Sequence, residues 1–486
     1  MDMTNDIKTF IQDFARRYDL SLLDMSRKLG YKSKTSLDRI INGNVRKESI
    51  LKFEQMMRSA FRLEQKEALA LKQAVQLALL GREDFALKNE LLNFVQQNSE
   101  LSGDQLIVYD STCGKTIKLA DKFSEADEVH VFIINCAFHK QIYGFLKSVL
   151  AKNESNTVEQ YFSASGDDIQ TFRRLNAVMP LLFERNYSCF VRYLKYSDDE
   201  VLHGSINSEN VIIVEWTGKD AEKQTDMIIL RDKETGLLLS VNEVDQTSRE
   251  LLGIDPAEYE TVKRTYFDYD KLEDYIRYSA DYAALERNHA IWKIKPDIGV
   301  DQIPLEILKS AMLEGMPQDE AFPEPVLDAL SEIYRKRYQN TYSKKRHAFT
   351  IFKRGAMHRF AITGRTSDHF WAMRPYTPEE RIVILSDLLK QQTENPYVHM
   401  RFLKDDAMLR NIEVAYYDNE GILILQSDTD YDLDDKYSEA FITQKRALDT
   451  FKRFFMNTLM KEYVCSESET RAYLIELITE VHNLIG

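Results

Sequence analysis

The sequence predicts a multidomain protein in which an all-α N-terminal domain precedes an α/β or α+β body with a central helical segment. Three observations support this prediction: a length of 486 residues, apolar residues at helical spacing near the N-terminus, and apolar strand-like stretches alternating with helical stretches in the rest of the chain. A chain of this length exceeds one typical core. The predicted parts are a helical domain (1–62), a helical connector (63–104), an α/β domain (105–242), a mainly helical segment (243–345) and an α+β domain ending in helices (346–486).

The first sixty residues predict short amphipathic helices. Ser21 and Asp24 form a capping pair at the start of the second helix, which Gly30 ends. Ser33 is placed to cap a third helix. A fourth helix follows within "RKESILKFEQMM". The apolar residues predicted to face the core of the first and fourth helices are Ile7, Phe10, Ile11, Phe14, Ile50, Phe53 and Met57.

The third helix presents a polar and basic face. Leu37, Ile40 and Ile41 fall on its inner side, whereas Thr35, Ser36 and Arg39 fall on the outer side. A helix, a short turn and a second helix with such a face is the arrangement that enters the DNA major groove. Residues 27–47 contain seven Lys or Arg and one acidic residue, which favours contact with phosphates.

Residues 5–60 resemble the Cro-like helix-turn-helix family (XRE-type, phage-repressor-like), on the stretches "LLDMSRKLG" and "SKTSLDRIINGNVRK". The resemblance implies that outward residues at the start of the third helix read bases and that residues just past it contact phosphates. Arg39 is suited to donate two hydrogen bonds to a guanine edge. The candidate DNA-binding residues are Lys32, Ser33, Lys34, Thr35, Ser36, Arg39, Asn42, Arg46 and Lys47.

The chain also departs from the family pattern. Leu22 stands where the family often has Gln, Ser26 where it has Ala, and Ile41 where it has Glu. The turn "GYKS" is one residue longer than usual. The alternative interpretation of this region is a small helical bundle that contacts another protein.

Residues 63–98 predict two helices separated at Gly81. Repressors of this shape usually read two half-sites, which needs a dimer. A homodimer joined through these helices is therefore expected. The alternative is that both helices pack on their own chain.

The stretch "LIVYDSTCGKTIKL" ends like a phosphate-binding P-loop, with Gly114, Lys115 and Thr116. The first glycine of that motif is replaced by Tyr109, so the loop cannot easily curl around a phosphate. We therefore expect a strand, a turn at Cys113 and Gly114, and a helix of a sheet domain.

The body shows a weak internal repeat. "CFVRYLK" (189–195) and "VHMRFLK" (398–404) share Arg, an aromatic residue, Leu and Lys, and each follows a helix and precedes a long hairpin. Two related α/β lobes would explain this match, although four residues also match by chance.

A second basic segment, residues 335–359, holds nine Lys or Arg and no acidic residue, with aromatic residues interleaved. This mixture favours stacking on a base and holding a phosphate. A small anionic effector is one candidate ligand, and a solvated edge that balances the acidic body is the alternative. The candidate effector-binding residues are Arg335, Arg337, Lys344, Lys345 and Arg346.

Other classes of protein are not favoured. The four cysteines lack metal-ligand spacing, which predicts no metal site and a reducing cytoplasm. The acidic stretch 428–439 resembles a calcium loop, but Leu433 replaces the required glycine. No apolar run reaches the length that spans a bilayer. The nine histidines are scattered and no catalytic constellation is visible, so neither an enzyme nor a cofactor is expected.

The leading hypothesis is therefore a cytoplasmic transcriptional regulator that binds double-stranded DNA in a sequence-specific way. Its large body would sense a signal or assemble subunits, and would thereby shift operator affinity. A nucleotide- or nucleic-acid-processing enzyme that uses its N-terminal domain for targeting is an alternative. A protein-interaction scaffold is another.

Overall fold

The computed structural model describes residues 6–43, 45–96, 107–110, 115–134, 140–164, 168–182, 184, 186–193, 210–217, 223–233, 236–243, 260–261, 263–267, 272–315, 324–367, 373–406, 412–426 and 437–485. Within these ranges the chain is a multidomain protein with a helical N-terminal part and a mixed α and β body. It divides into two compact units, Met1–Glu90 and Leu91–Gly486.

The first unit is helical and has its own apolar core. The residues predicted to face inward in the first and fourth helices are all buried in that core, and Leu71, Ala74 and Val75 of the fifth helix join them. This fifth helix therefore packs within its own unit. The helices are α1 (Ile7–Arg17), α2 (Leu22–Lys28), α3 (Lys34–Ile41), α4 (Lys47–Ala60), α5 (Gln65–Leu80) and α6 (Arg82–Gln96), and the division between units falls within α6.

The helix ends agree with the capping signals except at α3. The Ser21 side chain accepts from the Asp24 N–H, as predicted. Gly30 has a φ of 75°, the left-handed conformation that favours glycine. Ser33 occupies the N-cap position of α3, but its side chain makes no capping hydrogen bond, which corrects the prediction.

The first sheet of the second unit has nine strands in the order β2-β1-β8-β7-β6-β3-β4-β5-β9. Strands β3, β4 and β5 are parallel, and β6, β7 and β8 form an antiparallel meander beside β3. The elements are β1 (Ile107–Asp110), β2 (Lys115–Lys118), α7 (Leu119–Lys122), β3 (Glu128–Ile134), α8 (Lys140–Lys152), β4 (Thr157–Ala164), α9 (Asp168–Leu182), β5 (Tyr187–Tyr193), β6 (Asn210–Thr217), β7 (Lys223–Lys233), β8 (Gly236–Glu243) and β9 (Glu260–Thr261).

The P-loop-like stretch forms a hairpin. Strands β1 and β2 pair antiparallel, with Asp110 opposite Lys115. The predicted helix after Gly114 is wrong at its start, because Lys115–Lys118 is a strand. A P-loop needs a helix at that point to present its N–H groups to phosphate. The predicted turn at Cys113 and Gly114 lies outside the described residues.

The second sheet has seven strands in the order β10-β16-β15-β14-β11-β12-β13. The main helical layer packs on one face of this sheet, around Val398, Met400 and Phe402. The elements are β10 (Lys263–Phe267), α10 (Leu272–Asn288), β11 (Ile291–Lys295), α11 (Leu305–Gly315), α12 (Glu324–Thr341), β12 (Ala348–Phe352), α13 (Arg354–Thr363), α14 (Pro378–Glu394), β13 (Val398–Phe402), β14 (Ile412–Tyr417), β15 (Gly421–Gln426), β16 (Tyr437–Ile442), α15 (Lys445–Phe454), a π-helical turn (Phe455–Tyr463) and α16 (Glu467–Asn483).

Six strands of each sheet share one topology. The order β8-β7-β6-β3-β4-β5 and the order β16-β15-β14-β11-β12-β13 have the same connections and the same parallel and antiparallel pairings. The two copies of the Arg-aromatic-Leu-Lys match begin in β5 and β13, which hold equivalent places. The structural correspondence thus extends the four-residue match to two whole α/β lobes.

The segment 243–345, which was expected to be mainly helical, also contains strands β10 and β11. Strand β11 lies in the interior of the second sheet. The stretch "HRFAITG" forms the end of helix α13 and its C-cap, Gly364. Phe360 and Ala361, which follow one another in this helix, are both fully buried. Most of the acidic stretch 428–439 lies outside the described residues.

Candidate nucleic-acid interface

The junction between α2 and α3 is held by the side chain and backbone of Ser26. Its hydroxyl donates to the Ser33 carbonyl oxygen at 2.9 Å. Its own carbonyl oxygen accepts from the Tyr31 N–H at 2.9 Å. Because these bonds cross the turn, they fix where α3 begins relative to α2. Ser26 therefore has a structural role in this turn.

The orientation of α3 follows from its apolar residues. Leu37 and Ile40 are buried in the same core as Met25 and Leu29 of α2. Since these two residues face inward, the opposite side of an eight-residue helix must face outward. Arg39 is accordingly exposed.

Five cations surround this outward face and form what we call the α3 basic surface. All five are exposed, and no side chain among them donates a hydrogen bond or forms an ion pair in the part of the chain that the structure describes. Some cations elsewhere in the unit are paired: Arg17 pairs with Glu67 at 2.9 Å and Arg58 with Glu54 at 2.9 Å. The members of the α3 basic surface are Lys32, Lys34, Arg39, Arg46 and Lys47.

The start of α3 adds backbone donors to these charges. The N-terminal N–H groups of a helix lack intrahelical partners, and the Ser33 side chain does not cap them. Within this first turn, the Ser36 N–H donates to the Ser33 carbonyl oxygen at 3.2 Å. Thr35 is exposed and Ser36 half-buried on this turn. A helix start of this kind attracts anions.

Asn42 lies at the other end of α3. Its side-chain amide donates to the Asp38 carbonyl oxygen at 2.8 Å, so it helps to end the helix. The residue is nevertheless exposed. Every candidate DNA-binding residue from the sequence therefore lies in or beside α3, and all except half-buried Ser36 are exposed.

The second basic segment does not form one exposed set. The Arg337 guanidinium is largely buried and donates to the Glu286 carboxylate at 2.9 Å. This corrects its assignment to an exposed anion site, because its charge is already matched inside the protein. Arg335 remains on the surface, but it bonds to Glu332 at 2.7 Å.

The remaining candidates, Lys344, Lys345 and Arg346, lie just before β12 and have no carboxylate partner within the described ranges. Arg287, at the end of α10, is close enough to Arg346 to lower the pKa of that guanidinium together with burial, which is the larger cause. The next residue along the chain, His347, completes the group. We call Arg287, Lys344, Lys345, Arg346 and His347 the basic corner.

The sequence alone gives no signal for the contribution of Arg287 to this group. Nothing in the chain near Arg287 marks it, because its neighbours in the basic corner are more than fifty positions away in sequence. The sequence also gives no signal that His399 on β13 lies beside His347. The Nδ1 of His347 and the Nε2 of His399 are 2.9 Å apart. Only strand pairing brings these two histidines together.

Other kinds of site find little support in the described ranges. They contain no group of three or more His, Cys, Asp or Glu side chains that could hold a metal ion. Across the same ranges, no helix combines the length and the apolar composition needed to cross a bilayer.

Comparison with known proteins indicates no family for this chain. No protein-family model matches the sequence, and no curated protein is significantly similar to it.

Proposed function

We propose that this protein is a sequence-specific regulator of transcription that binds double-stranded DNA through a helix-turn-helix formed by α2 and α3. The observation that carries the proposal is the α3 basic surface: exposed cations without carboxylate partners around a helix whose inner side is locked in the core. Isolated like charges on a protein surface create a positive potential that attracts a polyanion.

The residues divide into two roles under this proposal. Lys34, Thr35 and Arg39 lie at the start and on the outer face of α3, where a recognition helix meets base edges. Arg46 and Lys47 lie past the end of α3, where they neutralise backbone phosphates. The uncapped N–H groups at the start of α3 supply further phosphate donors.

The second unit supports a sensing or assembly role by its size and by its separation as a compact unit. A regulator that reads two half-sites needs two copies of its recognition helix. We therefore propose a homodimer, and sedimentation of the full chain with and without operator DNA would test it.

The decisive experiment starts by capturing genomic DNA bound to the full-length protein, which identifies a duplex probe. Fluorescence anisotropy then measures affinity at several salt concentrations. Arg39→Ala should weaken specific binding by about 1–3 kcal/mol and relax discrimination at one base pair. Lys47→Ala should weaken all sequences alike and reduce the salt slope by about 1.

Arg16→Ala provides the matched control, because Arg16 is an exposed cation of α1 that pairs with Asp13 at 3.8 Å and lies outside the α3 basic surface. Its affinity for the probe should equal that of the unmodified protein. If no duplex is enriched, or if Arg39→Ala and Arg16→Ala behave alike, the proposal is wrong and the protein-interaction scaffold becomes the better hypothesis.

A further inference from the structure

The basic corner lies where three elements of the second unit meet. Arg287 ends α10, the residues from 344 to 347 lead into β12, and Tyr397 precedes β13. Backbone bonds hold this junction: the Ala348 N–H donates to the Tyr397 carbonyl at 2.9 Å, and the Ile291 N–H to the His347 carbonyl at 3.1 Å. The corner is therefore built on the starts of neighbouring strands rather than on a free loop.

The charges of the corner lack compensation from the part of the protein that the structure describes. No described carboxylate pairs with Arg287, Lys344, Lys345 or Arg346. The Nε of Arg346 is buried without a hydrogen-bond acceptor. Burial and then Arg287 lower the pKa of Arg346, so holding its positive charge there is unfavourable. A bound anion would relieve the repulsion between the two guanidinium groups.

Aromatic rings continue the corner along the sheet. Phe349 and His399 are stacked with ring centroids 4.4 Å apart and an angle of 17° between planes. His347 stacks on His399 at 5.1 Å and 24°, and Tyr397 lies 5.2 Å from His347. The imidazole of His347 is the exposed member of this group. Flat rings beside cations are the combination that holds a base and its phosphates.

We propose that the basic corner binds a nucleotide, with its phosphates on Arg346, Arg287 and the two lysines and its base against the His347 ring. The ligand would be either a free nucleotide or a nucleotide of a single strand, since both carry the same chemistry. Arg346 supplies the bidentate donor that fits phosphate. Lys344 and Lys345 supply mobile charges at the rim. This site belongs to the second unit and does not depend on duplex binding by the first.

The first arm of the test uses ATP with the full-length protein in isothermal titration calorimetry. The double variant Arg287→Gln/Arg346→Gln should weaken binding about tenfold or more, as expected when charge-assisted hydrogen bonds are lost. Arg335→Gln is the matched control, because Arg335 belongs to the same basic segment but is occupied by Glu332. Pyrophosphate should compete with ATP.

The second arm uses a fluorescent oligothymidylate and asks whether the source is a strand. It is performed in a Lys32→Gln/Lys34→Gln/Arg39→Gln/Arg46→Gln/Lys47→Gln background, which removes all five cations of the α3 basic surface. His347→Ala should weaken whichever ligand binds, since stacking of one base is lost. Binding of ATP alone identifies a free nucleotide, and binding of the oligonucleotide alone identifies a strand.

The proposal is overturned if neither ligand binds saturably. It is also overturned if the double variant and Arg335→Gln bind alike. Circular dichroism and thermal unfolding of each variant check that the fold is intact, and Lys344→Gln/Lys345→Gln, which changes only exposed side chains, serves as the second variant if the double variant unfolds. A failure here leaves duplex binding by the first unit unaffected, so the two proposals fail separately.

Discussion

Glu286, at the end of α10, is the centre of a buried ion network in the second unit. Its carboxylate accepts from Lys293 of β11 at 3.1 Å and from Arg337 of α12 at 2.9 Å. Lys293 also pairs with Asp301 at 2.8 Å. Burial disfavours the charge on Lys293, but Asp301 and Glu286 outweigh it and raise the pKa of that amine above its usual value. The charges hold two helices against one strand.

Replacing Glu286 should therefore be costly. Glu286→Gln leaves Lys293 and Arg337 buried with less compensation, and we expect a loss of about 3–5 kcal/mol in the unfolding free energy of the second unit. Denaturant titration followed by circular dichroism measures it. Glu332→Gln, which removes the exposed partner of Arg335, should change stability far less, because water screens an exposed pair. Equal effects of the two substitutions would contradict this account of the network.

His399 gives the second unit a dependence on pH. Burial lowers the pKa of this imidazole below its ordinary 6.5, and the neighbouring His347 and Arg401 add to the shift. The unfolded chain then takes up the proton at a higher pH than the folded chain. The stability contributed by neutral His399 is therefore complete above about pH 6.5, and it falls as the pH drops through the window between the two pKa values.

The corresponding prediction is that His399→Gln flattens the pH dependence of stability below about pH 6.5. Thermal unfolding of the full chain across this window measures the slope. His482→Gln, at the exposed end of α16, should leave the slope unchanged. A slope that persists in His399→Gln would show that other groups carry it.

At the scale of elements, Gly364 ends helix α13 in a way that no other residue type can. Its φ is 72°, and a Cβ there would lie 2.1 Å from the Tyr376 carbonyl oxygen. The Tyr376 N–H also donates to the Gly364 carbonyl at 2.9 Å. The end of α13 is thus packed directly against the segment that leads into α14.

Gly364→Ala should destabilise the second unit by more than the ~1–2 kcal/mol that a left-handed residue alone costs, because backbone must also move. Gly43→Ala tests the left-handed cost by itself in the first unit, since a Cβ at Gly43, with a φ of 70°, meets nothing within 4 Å. Urea titration of both variants gives the comparison. A loss at Gly364 no larger than at Gly43 would mean that the contact with Tyr376 relaxes freely.

The edge strand β13 is protected on its outer side. The Gln392 side chain of α14 accepts from the Met400 N–H at 2.6 Å, and the Cys465 N–H donates to the Phe402 carbonyl at 2.8 Å. These bonds occupy groups that would otherwise be open to another strand. They also fix β13, which carries His399 to the basic corner.

At the scale of the whole molecule, the first unit should fold alone. Its described core residues all lie between Ile7 and Leu79, and an ion pair within the unit joins Arg17 to Glu67. A fragment of residues 1–90 should give a helical circular dichroism spectrum and one cooperative thermal transition. A fragment without a transition would show that the first unit needs the second to fold.

The second unit is best described as two lobes of one topology. The sequence shows this only as Arg, an aromatic residue, Leu and Lys near the ends of β5 and β13, because side chains on the rest of the paired strands differ. Strand order depends on backbone pairing between distant segments, so it survives such differences. The correspondence explains why two hairpins follow equivalent strands.

Local signals were sufficient for much of the fold. Apolar spacing and capping residues predicted α1 to α4. No strand was predicted at β11, whose "IWKIK" contains two lysines although all five residues are buried. Its lysines are tolerated only because Glu286, Asp301 and Glu413 surround them.

The same distinction between local and tertiary information applies to the α3 basic surface and the basic corner. The sequence by itself determined the position of α3 and the polar residues on its outer face, because helix periodicity and charge spacing are local properties. Only the tertiary structure decided which cations remain unmatched. In the folded protein Arg337 is largely buried against Glu286, and Arg287 lies close to Arg346. Whether a charged side chain is paired depends on residues that are distant in sequence, and only the tertiary fold brings those residues together.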